Sequence, residues 1–351
     1  MQQFDLKQLQ WNGAIREQLL GQGLDRLPHA MLLTGPAGVG KTAFSEQLAA
    51  LLLCESIKPE LTACGECQAC RWLDAGNHPD FRRVAPDSDD EVEEGTNEKL
   101  SEKTKKRSQN IIRIDQIREL EAFVFVGSHR DGNRVVLITE AEAMNAAAAN
   151  SLLKILEEPP PSVYFILVSS RTKSLLPTIR SRCRVIAFGP PDAAAAAAWL
   201  ANTGLEKQSA RYLDLAGGAP MRVAQWKDQG QLAPIDALVD SLISPPADPI
   251  ALAARWDGLL KGDVLFRMEN LVEGVQRWLF DLAQERMAGK IRYHGGWPRP
   301  KGVESLSPTA LLAAWREINQ FRRSARHPLN QLLFLENLAA HFLRALRPAT
   351  S

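Results

Sequence analysis

Residues 31–50 read MLLTGPAGVGKTAFSEQLAA, and this stretch decides how the rest of the chain is read. Met31-Leu32-Leu33 is a short apolar run with strand character. Gly35-Pro36-Ala37-Gly38-Val39-Gly40-Lys41-Thr42 fits the phosphate-loop spacing G-x-x-x-x-G-K-[ST]. A helix is predicted to open near Lys41, with Phe44, Leu48, Leu51 and Leu52 at helical spacing. Gly35, Gly38 and Gly40 let the backbone curl so that successive amides point at an anion, and the helix N-terminus adds partial positive charge. In this pattern Lys41 reaches the terminal phosphates and the Thr42 hydroxyl ligates Mg²⁺. The strand before and the helix after argue against a chance glycine-rich turn. Nucleotide binding and nucleotide hydrolysis are separate matters, and residues elsewhere divide them.

The 351 residues predict two or three domains. With 45% hydrophobic and 24% charged residues the chain is of the soluble globular type. A net charge of +1 excludes a strongly polybasic nucleic-acid binder, leaving only local patches. No apolar run approaches the ~20 residues that span a bilayer. The N-terminal MQQFDLKQLQWNG lacks the pattern of a secretion signal, so a cytoplasmic chain with no membrane partner is expected.

Four of the five cysteines, Cys54, Cys64, Cys67 and Cys70, fall in seventeen residues; Cys183 stands apart and reads as a small buried residue. Two successive C-x-x-C steps, with Gly65 at the turn, place thiolates on tight knuckles that can close a tetrahedral Zn²⁺ site. Four protein ligands leave no place for water, so the expected Zn²⁺ is structural. It would pin an excursion between the phosphate-loop helix and the next strand.

Upstream, residues 4–27 carry Trp11, Ile15, Leu19, Leu20 and Leu24 at helical spacing, with Asn12 as a candidate cap. Downstream, residues 87–109 turn from acidic to basic without apolar periodicity and predict a mobile loop. Its basic end, Lys103, Lys105, Lys106 and Arg107, offers a DNA contact, although a solvated loop is the preferred reading. RVVLIT (134–139) and VYFILVS (163–169) are strands buried on both faces. AAAANSLLKILEE (146–158) is a helix stopped by Pro159-Pro160-Pro161. Strands alternating with helices predict a parallel sheet flanked by helices. Its carboxyl ends would then gather the phosphate loop, Glu140 and Ser169-Ser170 in one crevice.

A hydrolysing phosphate-loop enzyme ends the neighbouring strand in an Asp that holds Mg²⁺. Here Thr139 occupies that place and Glu140 follows, so weak or absent hydrolysis is expected. From residue 192 onward the chain is helical throughout, first Ala-rich, then in long amphipathic stretches with no chemical motif. Trp278, Phe280 and Leu335 read as core or interface residues, with core preferred.

The chain resembles the AAA+ clamp-loader proteins of bacterial DNA polymerase III. The resemblance is carried by the phosphate loop Gly35–Thr42, the module Cys54–Cys70, the helix Asn150–Pro160 (NSLLKILEEPP), Ser181-Arg182-Cys183, and the last helix from Asn330 to Phe342. It implies an α/β P-loop AAA+ domain over 1–189, with the zinc module (54–70) and the 87–109 loop inserted. A small helical lid (190–230) and an all-α collar (231–351) that joins subunits would follow. It implies that Arg182 is an arginine finger acting in trans on ATP held by a neighbouring gamma/tau subunit. It implies nucleotide contacts from Gly35, Gly38, Gly40, Lys41, Thr42, Glu140, Ser170 and Arg222, the last as a sensor arginine or else a surface arginine. The partners it implies are gamma/tau and delta subunits, the sliding clamp, and primed DNA through the assembled complex. Two functions compete. One is a stator-like subunit that lends an arginine; the other is an active gamma/tau-like or autonomous ATPase. Thr139-Glu140-Ala141 favours the first.

Overall fold

Five strands lie side by side in the computed structural model, which describes residues 10–86, 111–125, 132–205, 209–262, 265–325 and 330–347. The charged segment 87–109 lies outside the described residues. In chain order the first part comprises α1 (Gly13–Leu20), β1 (Ala30–Thr34), α2 (Lys41–Leu53), α3 (Gln68–Asp74) and β2 (Phe81–Val84). It continues with α4 (Ile114–Phe125), β3 (Arg134–Ile138), α5 (Ala146–Glu157), β4 (Val163–Ser169), α6 (Pro177–Arg182) and β5 (Arg184–Ala187).

The strands are parallel, in the order β2-β3-β4-β1-β5. β1 therefore lies inside the sheet, paired on one side with β4 (Thr34 opposite Ser169) and on the other with β5 (Thr34 opposite Ala187). β3, expected from the sequence to neighbour the phosphate-loop strand, is instead one strand removed, with β4 between them. Every residue of β1 and β3 is buried, as expected of strands covered on both faces. Burying each Leu, Ile or Val of these strands contributes about 1.5–3 kcal/mol. One face packs on α4, α5 and α6 through Ile117, Leu120, Leu152, Ile155 and Ile179, and Cys183 joins the same core.

Local signals set the helix ends. The Asn145 side chain accepts from the Ala148 amide (2.8 Å) and caps α5, and Pro159-Pro160-Pro161 follow its end. The helix expected over 4–27 is shorter among the described residues. It ends at Leu20, and Gly23, with φ +93°, turns the chain into a separate 3₁₀ turn at Leu24–Arg26. Asn12 sits at the N-cap position of α1 without making a side-chain cap bond.

The chain divides into two compact units, residues 1–191 and 192–351. The second is all helical: α7 (Ala193–Ala201), α8 (Ser209–Leu215), α9 (Pro220–Asp228), α10 (Leu232–Ile243), α11 (Pro249–Gly262), α12 (Met268–Ala288), α13 (Pro308–Ser324) and α14 (Gln331–Ala345). α7, α8 and α9 pack on one another, while α12 packs on α13 and α11 on α14. Ion pairs join the first group to the others: Arg211 of α8 to Asp236 of α10 (2.7 Å), and Arg222 of α9 to Glu273 of α12 (2.7 Å). Trp278 and Leu335 are buried, whereas Phe280 is only partly buried and lies against the rings of Tyr293 and Trp315. Asp281 of α12 accepts from the backbone amides of Arg292, Tyr293 and His294 and pairs with His294 Nδ1 (2.8 Å), which holds the segment after α12 against that helix.

Candidate nucleotide cleft and metal centre

Gly35, Gly38 and Gly40 adopt positive φ (141°, 81° and 98°), which the loop from β1 into α2 requires. A Cβ on Gly35 would lie 2.1 Å from the Phe188 carbonyl oxygen, so the loop is pressed against the end of β5. Trp11 donates its indole N–H to the Val39 carbonyl (3.0 Å) and ties the N-terminal segment to the loop. Gly40 is the N-cap of α2 and no side chain caps it, so the first amides of the helix are left for an anion. Lys41 is buried and donates to the carbonyls of Gly35 (2.8 Å) and Pro36 (2.6 Å). Burial pushes its ammonium down to about 8, while the Glu142 carboxylate pulls the other way. Thr42 is exposed. The donor set fits phosphate, and an arriving anion would replace carbonyls as the partner of Lys41.

At the end of β3, Thr139 is buried, and its amide (2.9 Å) and hydroxyl (3.3 Å) both donate to the Val84 carbonyl of the edge strand. Glu140 is exposed, with φ +50°. The acid turned inward is Glu142, whose side chain is 3% exposed. Its Oε1 accepts from the Ser170 amide (3.2 Å) and lies 3.7 Å from Arg171 Nε. Sequence reading had placed Ser170 and Glu140 in the crevice and passed over Glu142. Its only signal was a second acid two residues beyond Glu140.

The sulfurs of Cys54, Cys64, Cys67 and Cys70 all lie within 4.8 Å of one another. Cys54–Cys67 (4.0 Å) and Cys64–Cys70 (3.9 Å) match the edge of about 3.8 Å that four sulfurs make around Zn²⁺ at ~2.3 Å. Backbone amides point at the sulfurs: Cys64 N to Cys54 (3.2 Å), Cys67 N to Cys64 (3.2 Å) and Cys70 N to Cys67 (3.5 Å). The amides of Glu66 and Cys67 lower the Cys64 thiol to about 6. Gly65, at φ +80°, makes the knuckle turn. The four cysteines can hold a metal ion.

Arg182 is the last residue of α6, with its side chain one-third exposed. Its guanidinium pairs with Glu157 at the end of α5 and donates to the Thr178 carbonyl (3.2 Å). Arg222 belongs to the second unit. There it pairs with Glu273 and lies over the Trp226 ring (5.1 Å). Glu273 also binds Arg277 (2.6 Å), which donates to the Leu215 carbonyl.

A family model described as "DNA polymerase III, delta subunit" matches residues 18–192. The chain is 38% identical over 257 residues to the DNA polymerase III subunit delta-prime of Pseudomonas aeruginosa, a match covering 71% of each chain. It belongs to the delta-prime subunit family. The delta-prime subunit of Escherichia coli is 32% identical over 194 residues, about half of each chain (55% and 52%). A gamma/tau subunit from Mycobacterium bovis is 30% identical over 70% of this chain but only 45% of its own length. Among solved structures, a gamma subunit-related protein of Thermotoga maritima covers 97% of the chain at a TM-score of 0.44 and 17% identity. No helix among the described residues is long and apolar enough to cross a membrane.

The arginine–glutamate cluster of the second unit has a testable consequence. Burial would raise the Glu273 carboxyl, but Arg277 and Arg222 outweigh it and hold the carboxyl below its usual range. A depressed carboxyl stabilises the fold above its unfolded pKa, about 4.3, and that contribution is lost as pH falls through the folded value. Glu273→Gln leaves two guanidiniums without their counter-charge and costs about 3–5 kcal/mol near pH 7. Denaturant melts of wild type and variant converge in acid, and a gap unchanged at pH 3 would contradict this account.

Proposed function

We propose that this chain is the non-hydrolysing, stator-like subunit of a clamp loader and that its contribution to catalysis is Arg182. The guanidinium would reach the γ-phosphate of ATP held by a neighbouring gamma/tau subunit, so that the loader, with a delta subunit, places the sliding clamp on primed DNA. The observation that carries this reading is the end of β3. The position at the end of β3 that should be an Asp is Thr139, buried and bonded to Val84. Without that carboxylate, charge on a transferring phosphoryl and its metal is poorly stabilised. An arginine at a helix end, held only by partly exposed partners, suits use by a neighbour.

Within this reading the intact loop, Gly35 to Thr42, binds ATP or ADP with Mg²⁺ as a structural ligand, and Ser170 and Glu140 border the pocket. Arg222 would act as a sensor only by leaving Glu273. The four cysteines hold structural Zn²⁺. Residues 192–230 serve as the lid and 231–351 as the collar that meets the other subunits.

The competing reading is an active ATPase. Purified chain, with and without primed DNA, is expected to turn over ATP at or near background. Mixed with gamma/tau and delta subunits, it is expected to form a complex that elutes as one species. Robust turnover by the lone chain, or failure to assemble, would sink the proposal.

A further inference from the structure

Glu142 lies on the turn after β3; two observations bring it toward the phosphate loop, and a third leaves one of its oxygens without a partner. Its Oε1 accepts from the Ser170 amide, the residue after β4 ends. Ser169, one step earlier, is in register with Thr34, and Thr34 directly precedes Gly35. The carboxylate thus sits at the carboxyl end of the sheet, one strand from the loop. The second oxygen, Oε2, is fully buried and has no hydrogen-bond partner in a side chain only 3% exposed. A buried carboxylate oxygen left empty is rare in folded proteins, because desolvation without a partner is costly.

We propose that Glu142 is the metal-side carboxylate of the phosphate-loop cleft, its Oε2, with the Thr42 hydroxyl, holding the divalent cation of a bound nucleoside triphosphate. This rests on the nucleotide-binding part of the function proposed above. Carboxylate and hydroxyl oxygens suit Mg²⁺, which binds through one or two protein oxygens while the phosphates and water fill its shell. Ser170 fixes Oε1, and Arg171 (3.7 Å) offsets part of the carboxylate's charge. A carboxylate here without a cation would repel a triphosphate, so the role predicts a sign. Removing the charge should weaken metal-dependent binding, not strengthen binding overall. The position also explains retention of nucleotide without turnover, since Glu142 is bonded to the backbone and is not free to orient a water.

The test uses full-length chain and β,γ-imido-ATP, with affinity measured by calorimetry in Mg²⁺ and in EDTA. Manganese replaces magnesium for a parallel spin-resonance measurement of bound metal. Glu142→Gln keeps the bond from Ser170 and is expected to fold with unchanged helix content. In wild type, Mg²⁺ should tighten binding at least tenfold over EDTA. In Glu142→Gln that ratio should fall to near one, with nucleotide-dependent Mn²⁺ binding lost, while Glu119→Gln, at an exposed position of α4, behaves as wild type. If Glu142→Gln keeps the wild-type ratio, or binds the triphosphate more tightly, the inference is overturned while nucleotide binding stands. If wild type binds no nucleotide in either buffer, and matches Lys41→Ala, both fall together.

Discussion

Replacing Cys67 by serine is expected to abolish metal binding and release residues 54–75 from the fold. One zinc per chain in the wild type should become none, and the module should lose the folding free energy that metal binding supplies. The helix α3 has seven residues, about half the length at which an isolated helix begins to hold in water. Its N-terminus is set by Cys67, whose sulfur accepts from the Cys70 amide as the cap. Three of its residues, Ala69, Cys70 and Leu73, are buried, too few to secure it alone. Sulfurs 3.9–4.0 Å apart repel as thiolates unless a cation lies between them. A bound metal would therefore turn a repulsive cluster into the anchor of α3. Trp72 stacks edge-on against His78 (5.9 Å) and reports the loss by fluorescence. Chelation of the wild type should reproduce the variant's spectrum. The central strands should survive, because the excursion leaves the sheet between α2 and the edge strand β2. Full metal content and an unchanged melting point in Cys67→Ser would refute this account.

The module was legible because four thiols at that spacing have few other uses in a reducing compartment. The strands were legible for a different reason. RVVLIT and VYFILVS contain no polar face, and only a strand covered on both sides tolerates that. What the sequence could not supply was pairing across distance. Nothing local to 30–34 says that β4 and β5, more than a hundred residues later, flank β1. Arg222 and Glu273 are fifty-one residues apart, and neither announces the other. The same limit hid Glu142. Glu140 occupied the expected place by counting, yet the backbone turns left-handed there and the inward acid comes two residues later. Arg182 was found by its motif, while its partner Glu157, in the equally recognisable LLKILEEPP helix, was not.

That pairing shapes the second large effect. Arg182→Ala is expected to leave folding, metal content and assembly intact and to lower ATP turnover by the assembled loader, with clamp and primed DNA, at least roughly tenfold. Stability is spared because the pair with Glu157 is half-exposed and such pairs contribute only about 0.2–1 kcal/mol. The backbone beside it is fixed independently, by buried Ile179 and Cys183 and by β5 pairing with β1. Turnover suffers because a guanidinium offers a planar fork and a charge that no solvent group replaces. A weak ion pair is also what an arginine needs if it must leave Glu157 for a phosphate at small cost. Arg182→Lys should restore little, since an ammonium lacks the fork. Arg180→Ala, on the same helix but exposed, should leave turnover unchanged and so separates a placed arginine from general positive charge. Wild-type turnover by the Arg182→Ala loader would remove the arginine from the reaction, and equal loss in Arg180→Ala would reduce its role to surface electrostatics.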